Sequence, residues 1–156
     1  MKKTDASCED SSLSEAVINK IKDAGFRLTQ SRLKILEVFS HTQKALSATE
    51  LFEVLNKKYK DEHFDRVTVY RILEKFEELE IIHAVGNNKY VYCAHQACGH
   101  DKHFILICSN CGRVQEVGGK SKALSVLTDL IKKEAQFKVT GDSVVLRGLC
   151  SRCGAS

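Results

Sequence analysis

The chain has 156 residues, a net charge of +4, seven cysteines and no proline, and 43% of its residues are hydrophobic. This length predicts one ordinary domain or two small ones, and the hydrophobic content is usual for a globular protein. The first ten residues lack the apolar core of a signal peptide, and no apolar run is long enough to cross a bilayer. We therefore expect a cytoplasmic protein with reduced thiols and no membrane partner.

The positive charge is distributed unevenly along the chain. Residues 1–80 contain 14 Lys and Arg against 15 Asp and Glu, whereas residues 81–156 contain 10 against 5. The first half is therefore not basic as a whole. If it binds nucleic acid, the affinity must come from a local face of the domain and not from its bulk charge.

Helical spacing of apolar residues organises the first part of the chain. Residues 1–12 predict a flexible polar arm, and residues 13–24 predict a first helix that ends at Gly25. Thr29 is a suitable N-cap for a second helix, and Ser47 begins a capping box for a third. The side chains expected on the buried sides of the second and third helices are Leu33, Leu36, Val38, Phe39, Leu51, Val54 and Leu55.

A fourth helix and a hairpin come next. The helix begins at Asp65, and an apolar stripe runs along one side of it. The stripe consists of Val69, Ile72, Leu73, Phe76 and Leu79. Two short apolar runs, 81–85 and 90–93, flank the turn residues 86–89 and predict a β-hairpin. Helices followed by such a hairpin are the order of elements in a winged helix-turn-helix.

The second half predicts a small α/β unit. Residues 104–107 and 113–117 predict two strands, an amphipathic helix ends near Ala135, and β-branched residues over 137–149 predict a further strand. Exposed strands and an apolar helix favour a dimerisation module. The expected fold class is thus α+β, with an N-terminal winged helix-turn-helix domain followed by a small α/β dimerisation domain.

Two Cys-x-x-Cys pairs frame this second unit, Cys108 with Cys111 and Cys150 with Cys153, and glycine follows each pair. Two thiolates three positions apart on a tight turn can face one ion, and four thiolates suit tetrahedral Zn²⁺ with no open coordination position. We therefore predict a structural zinc site. The alternative is two disulfides or two buried thiol pairs, but paired spacing in a chain without an export signal favours metal.

Four motifs occur together in one order along the chain. They are Arg-Leu-Thr-Gln-Ser-Arg at 27–32, Thr-Val-Tyr-Arg at 68–71, the apolar strand that leads into Cys108, and Gly-Leu-Cys-Ser-Arg-Cys at 148–153. From Leu13 to Gly154 the chain thereby resembles the ferric uptake regulator (Fur) superfamily of metal-responsive bacterial repressors. It departs from the family where Arg66-Val67 stand in place of a frequent Pro, and where Ser31 replaces a common Gln. Neither departure removes a metal ligand, but both concern how the fourth helix is seated.

The resemblance implies a homodimeric regulator that binds double-stranded DNA, not an enzyme and not a protein with a small organic substrate. The metal-loaded dimer would bind AT-rich inverted repeats. The implied DNA-binding residues are Arg27, Arg32, Arg66, Thr68, Tyr70 and Arg71. Arg71 can contact guanine or enter a narrow minor groove, and Tyr70 can contact a thymine methyl group or a phosphate. For each of these residues the alternative is a solvated side chain on the surface.

The chain is most similar to the zinc uptake regulator (Zur) branch, because Cys93 stands at the end of the second strand of the wing. Carried over from that branch, the regulatory zinc ligands are His83, Cys93, His100 and Glu116, with His103 as the alternative to His100. One thiolate with imidazoles and a carboxylate suits Zn²⁺, whereas N/O-only sets suit Fe²⁺ or Mn²⁺ better. We therefore expect a zinc-responsive repressor of zinc uptake genes, and the alternative is an iron- or peroxide-responsive Fur-type regulator.

The expected division of the chain places a winged-helix DNA-binding domain at 1–85, the wing end and a metal-binding hinge at 86–103, and an α/β dimerisation domain at 104–156. Bound Zn²⁺ would then fix the angle between the two domains. Two alternatives concern the hinge: Cys93 as a buried apolar residue, and His95 with Cys98 as part of a third metal site. A thiol oxidoreductase or zinc enzyme is disfavoured, since neither a thioredoxin-like βαβ context nor a His-Glu-x-x-His motif is present.

Overall fold

The structure is a computed structural model, and it describes residues 15–93, 103–117, 122–140 and 143–154. The helices are α1 (Glu15–Asp23), α2 (Gln30–Ser40), α3 (Ala48–Lys58), α4 (Arg66–Glu78) and α5 (Lys122–Ala135). The strands are β1 (Leu46–Ser47), β2 (Ile82–Ala84), β3 (Lys89–Tyr92), β4 (His103–Cys108), β5 (Val114–Val117) and β6 (Ser143–Gly148). The predicted arm at 1–12 lies outside the described residues. No helix among those described is long and apolar enough to cross a membrane.

Side-chain caps start three of the helices where the sequence predicts them. The hydroxyl of Thr29 accepts from the main-chain N–H of Arg32 at the start of α2. At α3, Ser47 and Glu50 form both bonds of a capping box. Asp65 accepts from the main-chain N–H of Thr68 and so begins α4. Each cap satisfies a main-chain donor that has no partner inside its helix.

The four N-terminal helices enclose one apolar core. The predicted stripe of α4 is buried at Val69, Ile72, Leu73 and Phe76, and Leu79 packs against it. Three details differ from the prediction. Leu33, expected on the buried side of α2, is only half-buried. Val54, expected to point inward from α3, is 38% exposed, because that helix turns Ala48, Leu51 and Leu55 to the core instead. In α2, Ile35 is fully buried beside Leu36, because the helix contacts both α3 and β3.

The wing is a three-stranded antiparallel sheet with the order β1-β3-β2. The predicted hairpin pairs His83 with Val91, and β1, which the sequence did not indicate, adds two residues to the other edge of β3. Its turn contains Gly86, Asn87 and Asn88, whose φ values are 86°, 53° and 52°. These left-handed conformations are accessible to glycine and asparagine, which explains why the turn uses these residues.

A second sheet has the order β5-β4-β6. β4 and β5 form an antiparallel hairpin, whereas β4 and β6 are parallel, with Cys108 beside Gly148. A parallel pair needs a crossover connection, and α5 lies in that connection. This arrangement brings both cysteine pairs to the same end of the sheet. The helices, the wing and this second unit confirm the predicted fold class.

One face of the second sheet packs on the wing. Val85 and Val91 of the wing form an apolar cluster with Ile105 and Ile107 of β4. The main-chain N–H of Val114 also donates to the carbonyl of Gln43 at 2.9 Å, next to an isolated bridge between Lys44 and Arg113. The predicted division of the chain at 85 and 103 stays a prediction. The strands that it separates, β2 and β3, pair with each other in the structure.

Candidate metal centres and DNA-binding surface

The four cysteines predicted to bind structural zinc converge in the structure. The sulfur atoms of Cys108, Cys111, Cys150 and Cys153 all lie within 4.8 Å of one another. All four are free thiols, with 3.7 Å between the Sγ atoms of Cys111 and Cys150. Gly112 follows the first pair with a φ of +71°, the conformation that the tight turn requires.

Main-chain groups already favour a thiolate in this cluster. Hydrogen bonds from the main-chain N–H groups of Cys111 and Cys150 lower the pKa of Cys108 to about 6. Hydrogen bonding with the sulfurs of Cys150 and Cys111 raises the pKa of Cys153 to about 12. Four thiolates cannot ionise so close together without a cation between them. The donor set therefore fits a divalent ion that takes four sulfur ligands, and all four cysteines are free thiols in the structure.

A second cluster lies between the wing and the second sheet. The ligand atoms of His83, Cys93 and His103 are all within 4.8 Å of one another. The Sγ of Cys93 is 3.8 Å from the Nε2 of His103, and the two imidazole rings are 5.1 Å apart at their centroids. Cys93 and His103 are 5% and 4% exposed. Two imidazoles and a thiol this close together could supply three ligands of a tetrahedral metal site.

The fourth predicted ligand, Glu116, lies on the same sheet face as His103. It pairs with Ile105, two residues along β4 from His103, and both of its carboxylate oxygens are buried. It is not one of the three residues within 4.8 Å of one another. His100, which the sequence argument preferred to His103, lies outside the described residues, as do His95 and Cys98. The structure brings together His83, Cys93 and the alternative ligand His103.

Four of the predicted DNA-binding residues lie in the first half of α4, and the other two, Arg27 and Arg32, lie just before and within the first turn of α2. Arg27, Arg66, Thr68, Tyr70 and Arg71 are all exposed, Tyr70 to 50%. Two side chains are already engaged within the protein. The hydroxyl of Thr68 donates to the capping carboxylate at the start of the helix, and the guanidinium of Arg66 lies 4.9 Å above the ring of Phe52.

Arg32 differs from the other candidate DNA contacts. Its side chain is half-buried, and its guanidinium donates to the carbonyl of Arg27 while lying 5.3 Å from the ring of Phe26. These contacts fix the loop before α2 and hold Arg27 at the surface. In this geometry Arg32 orients the loop, and its predicted phosphate contact stays a prediction.

The profile of the "Ferric uptake regulator family" matches residues 23–147 of this chain. The chain belongs to the ferric uptake regulator family. A ferric uptake regulation protein of Neisseria meningitidis serogroup B is 30% identical over 141 residues, which cover 88% of this chain and 93% of the relative. The members of this family are DNA-binding, metal-binding transcription regulators and not enzymes.

Two solved structures share the fold. The structure described as "Crystal structure of holo XcZur" has a TM-score of 0.72 and 25% identity, and the match covers 94% of this chain and all of that one. A zinc uptake regulator described as complexed with zinc and DNA has a TM-score of 0.70 and 24% identity, over 88% of this chain and 90% of that one. The predicted resemblance to the Fur superfamily, with Zur-like relatives, is confirmed.

The structure draws attention to two residues that the sequence argument did not select as site residues. Val67 is 55% exposed on the first turn of α4, on the same face as Tyr70 and Arg71. Val67 is three residues from Tyr70 and four from Arg71, and it does not follow the spacing of the buried stripe. This spacing could have indicated from the sequence that Val67 is exposed beside them. Arg147 donates to the carbonyl of Val85 across the contact between the wing and the second sheet. No local pattern in the sequence indicates that bond.

Proposed function

We propose that this protein is a zinc-responsive transcriptional repressor of zinc uptake genes. In this proposal the metal-loaded homodimer binds AT-rich inverted repeats in double-stranded DNA, in the cytoplasm. The observation that carries the choice of metal is the convergence of Cys93 with His83 and His103. A thiolate among imidazoles favours Zn²⁺ over Fe²⁺ or Mn²⁺, which N/O-only sites suit better.

The two clusters are assigned different roles. Cys108, Cys111, Cys150 and Cys153 would hold structural Zn²⁺, since four thiolates leave no open coordination position. His83, Cys93 and His103 would hold regulatory Zn²⁺, and Glu116 is proposed as the fourth ligand. His100 remains a predicted ligand that lies outside the described residues.

The regulatory cluster has the connectivity that a switch requires. His83 and Cys93 belong to the wing, and His103 belongs to β4 of the second sheet. An ion held by all three residues stabilises the arrangement in which these parts are packed together. If only this arrangement presents both α4 helices of a dimer to adjacent grooves, zinc and DNA stabilise each other's binding.

A homodimer is proposed because the second unit leaves apolar side chains uncovered. Among the described residues, the exposed large hydrophobic side chains of this unit are Val117, Val126, Leu130, Phe137, Leu146 and Leu149. Val117 lies on β5, Val126 and Leu130 on α5, and Leu146 on β6. An exposed apolar surface of this kind is typical of a subunit interface.

The test is a DNA-binding titration with the full chain and a duplex obtained by in vitro selection. Wild-type protein with the structural site filled should bind this duplex only after a further equivalent of Zn²⁺ is added. Cys93→Ser and His103→Ala should each lose this dependence, because each removes a ligand from the three-residue cluster. His63→Ala is the matched control, since His63 is an exposed histidine of the winged-helix part. Equal binding by wild type with and without regulatory zinc would refute the proposal.

An iron- or peroxide-responsive regulator is the second candidate. It is favoured by the N. meningitidis relative, which is named a ferric uptake regulation protein. Parallel titrations with Zn²⁺, Fe²⁺ and Mn²⁺ separate the candidates. A zinc sensor should need Cys93 for its response, whereas an iron sensor should respond to Fe²⁺ and retain that response in Cys93→Ser.

The DNA contacts are proposed for Arg27, Arg32, Arg66, Thr68, Tyr70 and Arg71. Arg71→Ala should weaken zinc-dependent binding at least tenfold and relax the choice of one base, if the guanidinium donates to a base edge. Lys57→Ala removes the same charge from the exposed side of α3 and serves as the control. A uniform loss across all duplexes would instead indicate a phosphate contact.

A further inference from the structure

Arg147 spans the contact between the second sheet and the wing. Its guanidinium Nη2 donates to the carbonyl oxygen of Val85 at 2.6 Å, over a separation of 62 residues in the chain. Arg147 pairs with Ile107 in the parallel register of β6 with β4, so its side chain shares the sheet face that packs on the wing. Val85 is 4% exposed and belongs to the apolar cluster of that contact.

The turn of the wing leaves room for this guanidinium. A Cβ atom added at Gly86 would lie 3.3 Å from the Nη2 of Arg147, which is tighter than an ordinary contact. Gly86 also has a φ of +86°, which favours glycine. The same residue thus serves the turn and allows the close approach of Arg147.

The bond to Val85 and the three-residue metal cluster both join the wing to the second sheet, but at different points. On the wing, His83 of the cluster and Val85 are two residues apart. On the second sheet, His103 and Ile107, the neighbour of Arg147, are about 13 Å apart along β4. The apolar contact lies between these two attachments. One attachment fixes the position of the wing, and a second one also restricts its rotation.

We propose that Arg147 is a positioning residue for metal-dependent DNA binding: it fixes the rotation of the wing on the second sheet, so that metal binding produces one defined orientation of α4. The proposal rests on the proposed function for its DNA readout. The bond exists only while the wing and the second sheet are packed together. Its loss therefore lowers the population of the packed arrangement, and with it the apparent affinity for both regulatory metal and DNA.

The experiment compares Arg147→Ala, Arg147→Lys and Lys132→Ala in the full chain. Arg147→Ala should weaken zinc-loaded DNA binding about fivefold to tenfold, as expected for a charge-assisted hydrogen bond that is partly exposed to water. It should also lower Co²⁺ affinity at the three-residue cluster, read from the thiolate absorption of Cys93. Lys retains the charge and can reach the carbonyl, so it should restore part of the effect. Lys132→Ala removes one exposed charge from α5 and should change neither affinity.

Two results would overturn the proposal. In the first, Arg147→Ala binds both Co²⁺ and DNA within twofold of wild type. In the second, only DNA binding weakens and its salt dependence falls by about one unit of slope, which would make Arg147 a phosphate contact. If wild type shows no zinc-dependent DNA binding, the proposed function fails by itself. The role of Arg147 is then tested by amide hydrogen exchange of residues 85–89. Arg147→Ala should accelerate this exchange, and an unchanged exchange rate would reject the proposed role.

Discussion

The winged-helix part and the second unit stabilise their folds by different means. The winged helix encloses an apolar core in which Ile21, Leu51 and Leu55 are fully buried. In the second unit, Leu124 is the single buried residue of α5 among those described. The sheet of this unit packs one face on the wing, and several of its large apolar side chains stay exposed.

This difference shows which forces each part depends on. Burial of apolar surface stabilises the winged helix without a partner or an ion. The second unit is too small to bury much surface by itself and brings four thiols together instead. We therefore expect it to depend on a metal ion, on the wing and on a second subunit.

The largest expected effect comes from disruption of the four-cysteine cluster. Cys108→Ser should abolish the protection of β4, β5 and β6 from amide hydrogen exchange, because metal binding and folding are coupled in small thiolate sites. The winged helix should keep its protection. Cys93→Ser is the control, since it leaves the four-cysteine cluster intact. Full protection of β4 in Cys108→Ser would show that the second unit folds without metal.

Truncation of a core side chain in the winged helix should destabilise that part and leave the second unit folded. Phe76 is 1% exposed in α4, and Phe76→Ala should destabilise the winged helix by about 3–5 kcal/mol through lost burial and a cavity. Val67→Ala on the same helix removes a side chain that is 55% exposed and should change stability by less than about 0.5 kcal/mol. Urea unfolding followed by circular dichroism measures both. If Phe76→Ala released zinc from the four-cysteine cluster at the same urea concentration at which its winged helix unfolds, the two parts would unfold as one.

The dependence of the second unit on a partner is tested at Leu130. This side chain is 47% exposed on α5, so Leu130→Asp should leave the fold of one subunit unchanged. At an interface it should raise the dimer dissociation constant about thirtyfold or more. Ser125→Asp adds the same charge to the same helix, at an exposed polar position. Sedimentation equilibrium gives the result, and a dimer of unchanged affinity in Leu130→Asp would exclude this helix from the interface.

The smallest effect concerns an ion pair within the winged helix. The main-chain N–H of Ser47, followed by the ammonium of Lys89, lowers the pKa of Glu50 to about 2 from 4.5. A lowered carboxyl pKa contributes stability above pH 4.5 that is lost as the pH falls towards 2. Since both side chains are more than a third exposed, Glu50→Gln should cost less than about 1 kcal/mol at pH 7, and this cost should shrink as the pH falls through 2. Glu53→Gln is the exposed control, and a cost at pH 2 as large as that at pH 7 would contradict this origin.

Local signals predicted most of the elements and the four-cysteine site. The caps at Thr29 and Ser47 are interactions within four residues, and the Cys-x-x-Cys pairs carry their own spacing. The parallel pairing of β4 with β6 and the two-residue strand β1 could not be predicted, because both depend on partners far along the chain.

The cluster of His83, Cys93 and His103 was predictable only in part, for a similar reason. The resemblance indicated His83, Cys93 and Glu116, but the choice between His100 and His103 depended on the length of a loop. In the structure β4 begins at His103, which lies beside Cys93, whereas His100 lies outside the described residues and stays a predicted ligand. The bond from Arg147 to Val85 joins residues 62 positions apart and has no signature in the sequence.

The parallel neighbours β4 and β6 also have a consequence during synthesis of the chain. Cys111 and Cys150 are 39 positions apart, so the first thiol pair leaves the ribosome about 2–8 s before the second, at roughly 5–20 residues per second. The winged helix is complete throughout that interval. A nascent chain can therefore already carry a folded winged helix while only Cys108 and Cys111 of the four-cysteine cluster have been synthesised. During that interval these two thiols are open to oxidation.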